Sequence, residues 1–226
     1  MNLKEHYNLL YNSTIKKLKN NNYSVDTLIN SPLDNRFGIT LLIRPSATVK
    51  NKIQEFISEL KVLEPDQYFY PSSDIHITVM SIISCYDGFT LSQINPTEYQ
   101  SIIKQSLHQK NKFNISFKGI TASTSCVMLQ GFFNDETLDN IRNSLRTNFK
   151  NTTLEQSLDK RYTIQTAHAT IFRIQKPLKD KIAFINLLKT YKDFDFGTFT
   201  VDSLELVYND WYQKAEKIQK LYTFPL

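Results

Sequence analysis

The chain has 226 residues, of which 41% are hydrophobic and 22% charged, so it has enough apolar material for one sizeable core or for two small lobes. Fifteen Phe and twelve Tyr against only five Gly exclude a low-complexity or linker-rich chain, and no run approaches the roughly 18 apolar residues of a membrane-spanning helix. The net charge of +5 suits a phosphate-bearing partner such as RNA or a nucleotide, although scattered lysines give the same figure with no such role.

In chain order, Leu3, Tyr7, Leu10, Tyr11, Ile15 and Leu18 recur at helical spacing and predict an amphipathic helix over residues 2–20. Residues 1–34 therefore read as a helical extension ahead of a domain over 35–226. A loop follows at Ser31-Pro32 and Asp34-Asn35, then a strand over Phe37–Ile43 that stops at Arg44-Pro45. Val49, Ile53, Phe56, Ile57 and Leu60 mark a second helix, and Glu64-Pro65 to Tyr70-Pro71 a loop. A strand is expected from Asp74 to Ile83. Asn95-Pro96-Thr97-Glu98 is a helix start, with Asn95 as cap and Pro96 at the first helical position. Strands are expected at Phe113–Ile120 and Ser125–Gln130, a helix from Asn134-Asp135-Glu136 to about Phe149, a strand over Thr166–Ile174 and a helix over Leu178–Tyr191. The chain closes with two strands, about Phe199–Tyr208 and Lys217–Phe224, read as a terminal hairpin. Consecutive strand pairs among the helices favour an α+β fold with antiparallel sheet over a doubly wound parallel one.

Neither G-x-G-x-x-G nor G-x-x-x-x-G-K-[ST] occurs, which argues against phosphate cradling by a glycine loop. Cys85 and Cys126 form no C-x-x-C and stand at no metal-ligand spacing, which points to a reducing, cytoplasmic setting. The polar N-terminus carries no apolar signal core.

The chemistry is concentrated in the histidines. There are four, and two of them open the same pattern: His76-Ile-Thr-Val and His168-Ala-Thr-Ile. Side chains alternate along a strand, so His76 shares a face with Thr78, and His168 with Thr170, with Cα atoms about 6.6 Å apart. An imidazole and a hydroxyl at that spacing can touch one phosphate group. If the two strands lie near each other, two imidazoles supply a base and an acid while two threonines donate to the non-bridging oxygens. For a single copy, the plainer alternative is a sheet-surface histidine bonded to a neighbouring threonine.

Paired His-x-Thr-apolar segments about ninety residues apart resemble the two-histidine (2H) phosphoesterase superfamily. Its members include 2′-5′ RNA ligase-like proteins, cyclic phosphodiesterases and enzymes that degrade 2′,5′-oligoadenylate. The extension His168-Ala-Thr-Ile-Phe-Arg173, the strand Arg36–Ile43 ahead of a helix, and the closing Leu204–Tyr208 and Tyr222–Leu226 segments carry the likeness over residues 35–226. Met80-Ser81-Ile82-Ile83 departs from the family's usual apolar run with Gly, and the Tyr68–Ser73 loop is particular to this chain. The resemblance implies two pseudo-symmetric lobes, each an antiparallel sheet backed by helices, around a V-shaped cleft. It also implies metal-free, cofactor-free cleavage of 2′,3′-cyclic phosphates or 2′-5′ phosphodiesters in a nucleotide, RNA or cyclic-nucleotide substrate. A rival reading is a module that holds RNA ends or nucleotides in the same cleft without cleaving them.

Secondary candidates each have a plainer alternative. Asp74 can orient His76 or simply start a strand in solvent, and the second is favoured. Tyr68, Phe69 and Tyr70 can offer a stacking surface for a base or pack in the core. Arg173 falls on the face opposite His168 by strict alternation, unless a bulge re-aims it toward phosphate. Trp211 and Tyr212 can grip a base at the cleft or close the terminal hairpin. His6, His108, Lys214, Lys217 and Lys220 read as surface residues.

Overall fold

The structure, a computed structural model, describes residues 2–226. Among the described residues are five α-helices and nine strands: α1 (Leu3–Lys19), β1 (Arg36–Ile43), α2 (Ala47–Leu63), β2 (Tyr68–Phe69), β3 (Ile77–Asp87), α3 (Pro96–Ser106), β4 (Phe113–Ala122), β5 (Cys126–Phe132), α4 (Thr137–Lys150), β6 (Ala169–Arg173), α5 (Lys181–Thr190), β7 (Asp195–Val201), β8 (Ser203–Asp210) and β9 (Gln219–Pro225). The strands form two antiparallel sheets, ordered β3-β1-β8-β9 and β2-β6-β5-β4-β7.

The helices exchange partners between the lobes. Helix α2 follows β1 of the four-stranded sheet but packs on β6 and β7 of the five-stranded one. Helix α4 follows β5 of the five-stranded sheet but packs on β3 of the other. The lobes are thereby interlocked around one continuous core that includes Leu41, Phe56, Ile77, Phe117, Leu145 and Phe172. Local chemistry fixes the helix starts. Ser46 caps α2 at Val49 N, Asn95 caps α3 at Thr97 N ahead of Pro96, and Asp180 caps α5 at Ala183 N.

Helix α1 lies on the five-stranded sheet. Tyr7, Tyr11, Thr14 and Leu18 are its buried positions. Thr14 Oγ1 donates to the Ala122 carbonyl at 2.6 Å, and Thr121 Oγ1 donates to that of Tyr7 at 3.1 Å.

Three boundaries differ from the sequence expectation. The run Phe199–Tyr208 is not one strand. It breaks at Asp202, so β7 pairs with β4 in one sheet while β8 pairs with β1 and β9 in the other, and only β8–β9 forms the terminal hairpin. Helix α5 starts at Lys181 and not Leu178, because the buried Glu64 carboxylate accepts the N–H groups of Lys179 and Asp180. The strands expected to contain the two histidines begin just after them, at Ile77 and Ala169.

Candidate active site

His76 and His168 each stand one residue ahead of a strand, and Thr78 and Thr170 lie inside it. All four side chains line one cleft of about 250 Å³ between the sheets. The strands repeat a second feature. In β3, Leu41 faces Met80 and Leu42 faces Thr78, which leaves Val79 as an extra residue. In β6, Val127 faces Phe172 and Met128 faces Thr170, which leaves Ile171 extra. Each bulge follows its threonine directly and reverses the alternation beyond it. Val79 and Met80 are both buried, as are Ile171 and Phe172. Ser81 and Arg173, each five residues past its histidine, consequently join the cleft lining. The bulge that would re-aim Arg173 is therefore present.

The imidazoles are held from behind. His76 Nδ1 lies 2.8 Å from the Asp74 carbonyl oxygen. A carbonyl only accepts, so Nδ1 carries the proton and Nε2 presents a lone pair toward the cleft. His168 Nδ1 lies 2.7 Å from Thr166 Oγ1. Both rings keep an edge open to the cleft but are otherwise enclosed. Burial pushes His76 down to about 3, and the positive Arg44, together with His168 and Arg173, adds to that against the opposing Asp74 hydrogen bond. Burial likewise pushes His168 down to about 4, with Arg142, His6 and Arg173 contributing. At neutral pH both rings are held toward the uncharged form in a positively charged surround, an arrangement that favours an entering anion, whose charge would in turn raise the pKa of both imidazoles.

Arg142 of α4 is fully buried and ties the two halves together. It donates from Nε to the Val79 carbonyl at 3.1 Å, and from Nη2 to the carbonyls of Thr78 at 3.3 Å and Thr166 at 2.7 Å. A third wall comes from the irregular segment 151–168. The Ser84 N–H donates to Ser157 Oγ at 2.6 Å, and Arg161 Nη2 donates to the Cys85 carbonyl at 3.1 Å. The Arg161 guanidinium lies 4.5 Å from the centre of the Trp211 ring, and that of Arg36 lies 4.6 Å from it. Arg161 and Trp211 line the cleft, whereas Arg36 stands outside it, bound to Asp34 at 2.7 Å.

Several sequence candidates take other roles. Asp74 is buried, not solvated, and holds His76 through its carbonyl. Its carboxylate accepts instead from Ser73 Oγ at 2.6 Å and Ala215 N at 3.2 Å. Tyr70 lines the cleft but is no open stacking surface, being 2% exposed with its hydroxyl accepting from Arg173 Nε at 2.9 Å. Tyr212 does not reach the cleft, because its hydroxyl donates to Asp26 Oδ1 at 2.7 Å behind it. His6 and His108 are exposed, as expected. The sequence reading missed Arg142, Ser81 and Arg161. A signal existed for Arg142, which interrupts the stripe Leu138, Ile141, Leu145, Phe149 on the buried face of α4.

Among the described residues no helix is long and apolar enough to cross a membrane, and no three His, Cys, Asp or Glu side chains converge as a metal site. No curated protein matches the sequence. The fold is similar to that of TT0787 from Thermus thermophilus, with a TM-score of 0.62 and 13% identity over 83% of this chain and 97% of that one. It is also similar to that of E. coli LigT in complex with 3′-AMP, with a TM-score of 0.60 and 11% identity over 85% of this chain and 99% of that one. The sequence itself matches the model of the AKAP7 2′5′ RNA ligase-like domain over residues 38–222. With the two-lobed α+β fold and the paired histidines, that match makes the chain a member of the AKAP7 2′5′ RNA ligase-like domain family, within the two-histidine phosphoesterase superfamily.

Proposed function

We propose that this protein is a phosphodiesterase acting on 2′,3′-cyclic phosphates or 2′-5′-linked nucleotides, with His76 and His168 exchanging the protons. The observation that carries this reading is the convergence of two imidazole–threonine couples on one cleft. In a 2′-5′ diester, one histidine takes the proton of the neighbouring 3′-hydroxyl as its oxygen bonds to phosphorus. The other takes up a proton from solvent as the bound phosphate raises its pKa and gives it to the departing 5′-oxygen, leaving a 2′,3′-cyclic phosphate and a free 5′-hydroxyl. In a cyclic substrate, water attacks instead and one ring P–O bond opens. Thr78 and Thr170 donate to the non-bridging oxygens, and Arg173 supplies positive charge. In this reading the base, the acid and the charge all come from the chain, so no metal is required. Family membership and the 3′-AMP bound in the LigT structure support a nucleotide substrate. The free, buried cysteines suit a reducing compartment such as the cytoplasm.

The test is to incubate the protein in EDTA with a panel of linear and cyclic nucleotides and to identify products by mass. The expected result is cleavage of a 2′,3′-cyclic or 2′-5′ substrate. Tight, salt-dependent binding with no product over long incubation would reduce the protein to a nucleotide-binding module.

A further inference from the structure

Arg173, the cation of the proposed site, is not held by its own strand alone. Its Nε donates to the Tyr70 hydroxyl at 2.9 Å, its Nη1 lies 3.6 Å from Asp26 Oδ2, and its guanidinium carbon lies 5.3 Å from the centre of the Tyr212 ring. Of these three partners only Tyr70 lines the cleft. The other two stand behind the arginine, and Asp26 comes from the segment between α1 and β1.

We propose that Asp26 is a positioning residue for Arg173: it holds the guanidinium from behind, so that the Nη groups meet the substrate phosphate already ordered. This rests on the proposed role of Arg173 as the positive charge at that phosphate.

The carboxylate is itself fixed. Asp26 N donates at 2.7 Å to the carbonyl of Ile174, the residue after Arg173, which ties the segment to the end of β6. Ser24 N makes a second tie, at 2.8 Å, to the Thr124 carbonyl in the turn between β4 and β5. Asp26 Oδ1 accepts from the Tyr212 hydroxyl at 2.7 Å and from Leu28 N at 3.2 Å. Arg36 Nη2 donates to the same Tyr212 oxygen at 3.4 Å, so the phenol's one proton is committed to Asp26. With Oδ1 engaged in this way, Oδ2 is the oxygen left to face Arg173.

The distance of that last contact matters. At 3.6 Å it is too long for a hydrogen bond, so Asp26 attracts the guanidinium without occupying one of its donors. Nε is engaged by Tyr70, and the Nη N–H groups stay available for the paired contact that a phosphate accepts. The two side chains are 17% and 16% exposed, so water and salt screen the attraction less than at an open surface. A loose arginine loses its rotamer freedom when the ligand binds, whereas one ordered in the fold does not. Asp26 lies ahead of residues 38–222, so the segment preceding the span matched by the family completes a site built within it.

A carboxylate near the cleft also repels an anion, and that gives the test its sign. Acting through charge alone, Asp26 weakens phosphate binding and Asp26→Asn should tighten it. Acting as a positioning residue, it aids binding and the same change should weaken it. The experiment is NMR titration of inorganic phosphate into wild type, Asp26→Asn, Arg173→Ala and the double variant, each shown to be folded by circular dichroism. The expected result is a Kd raised about three- to tenfold in Asp26→Asn. Arg173→Ala should raise it further, and adding Asp26→Asn to Arg173→Ala should raise it no more. Tyr212→Phe alters no charge but releases Asp26 Oδ1, so it should also raise Kd, and it takes the place of Asp26→Asn if that variant does not fold. An unchanged or lowered Kd in Asp26→Asn, or in Tyr212→Phe standing in for it, would overturn the assignment. So would a rise of the same size in the Arg173→Ala background. Arg173→Ala binding phosphate as tightly as the wild type would overturn the reading of Arg173 itself, and the inference with it. Binding is read without turnover, so failure of the proposed activity and failure of this inference are told apart.

Discussion

Arg142 Nη2 donates to the carbonyl oxygen of Thr166 at 2.7 Å, and the same nitrogen reaches the Thr78 carbonyl at 3.3 Å. One buried guanidinium thus spans the backbones of both His-x-Thr segments. It sets their separation from a rigid helix, where a side chain on a loop would leave it to chance. The position is costly, since burial pushes Arg142 down to about 10 and leaves Nη1 without a hydrogen-bond partner. A helix that needed only to pack on β3 would carry leucine there.

Replacing Arg142 with Met should separate that clamp from ordinary packing. It leaves buried carbonyls of Thr78, Val79 and Thr166 without this donor, at about 2–4 kcal/mol in total, read as a lower urea midpoint. Turnover should fall as well, because the two halves lose their common tie. Arg142→Lys should recover only part of either loss, because a single ammonium lacks the planar fork. A Met variant of lowered stability but unaltered kcat would leave the residue with a structural role alone.

Stability should fall as the solution is acidified below the ordinary histidine pKa. The sign follows from the depressed values of about 3 for His76 and about 4 for His168. Between those values and about 6.5 the unfolded chain binds protons that the folded chain refuses, so unfolding is favoured as pH drops. At pH 5 each ring contributes about 2 kcal/mol of that loss. Urea titrations of wild type and His76→Asn at pH 7 and pH 5 check this. The variant should lose less stability on acidification, and equal losses would mean that His76 takes up protons freely in the fold.

Gly131→Ala should damage the second half of the site from a distance. Its new methyl would meet the Ala167 carbonyl, one residue ahead of His168, so either β5 or the 166–168 segment must move. Overpacking of this kind costs about 1–3 kcal/mol. Activity should drop more than the stability loss explains, measured as turnover of the fraction shown to be folded by circular dichroism. Near-wild-type turnover would show that the segment has slack.

Much of this arrangement was legible in the residues, and the remainder was hidden for identifiable reasons. The Asn95 cap and the stripe of α1 are local patterns and appear as read, whereas each His-x-Thr repeat appears with its histidine one residue ahead of the strand. The break at Asp202 escapes a reading of Phe199–Tyr208 as one period-two run, although the apolar positions shift phase there, from Phe199 and Val201 to Leu204 and Leu206. The bulges at Val79 and Ile171 were hidden for the same reason, since period-two reasoning assumes that no residue is left over. Arg161 came to the cleft on an irregular segment whose path is set by contacts such as Ser157 with Ile82 and Ser84, 73 or more residues away in sequence. The aromatic cluster before His76 leaves a stacking surface and core packing both open in the sequence, and Tyr70 takes the second, buried with its hydroxyl accepting from Arg173 Nε.

Arg161 and Trp211 give the cleft its outer wall, and that wall should act on binding rather than on the chemical step. Arg161→Ala should raise KM about three- to tenfold with kcat nearly constant, in keeping with an exposed cation at the rim. The melting temperature should stay within a degree or two, because the side chain is exposed. A fall in kcat at constant KM would move Arg161 into the proton-transfer machinery instead.

The central claim is that His76 and His168 act together on one phosphate. Its most direct measurement is the initial rate on a 2′,3′-cyclic nucleotide and on 2′-5′ oligoadenylate in EDTA, for wild type, His76→Ala and His168→Ala, with folding verified for each. Wild-type turnover of at least one substrate is expected, with each single substitution lowering it by about 10²–10⁴. Full activity in either histidine variant, or abolition of wild-type activity by EDTA, would contradict it.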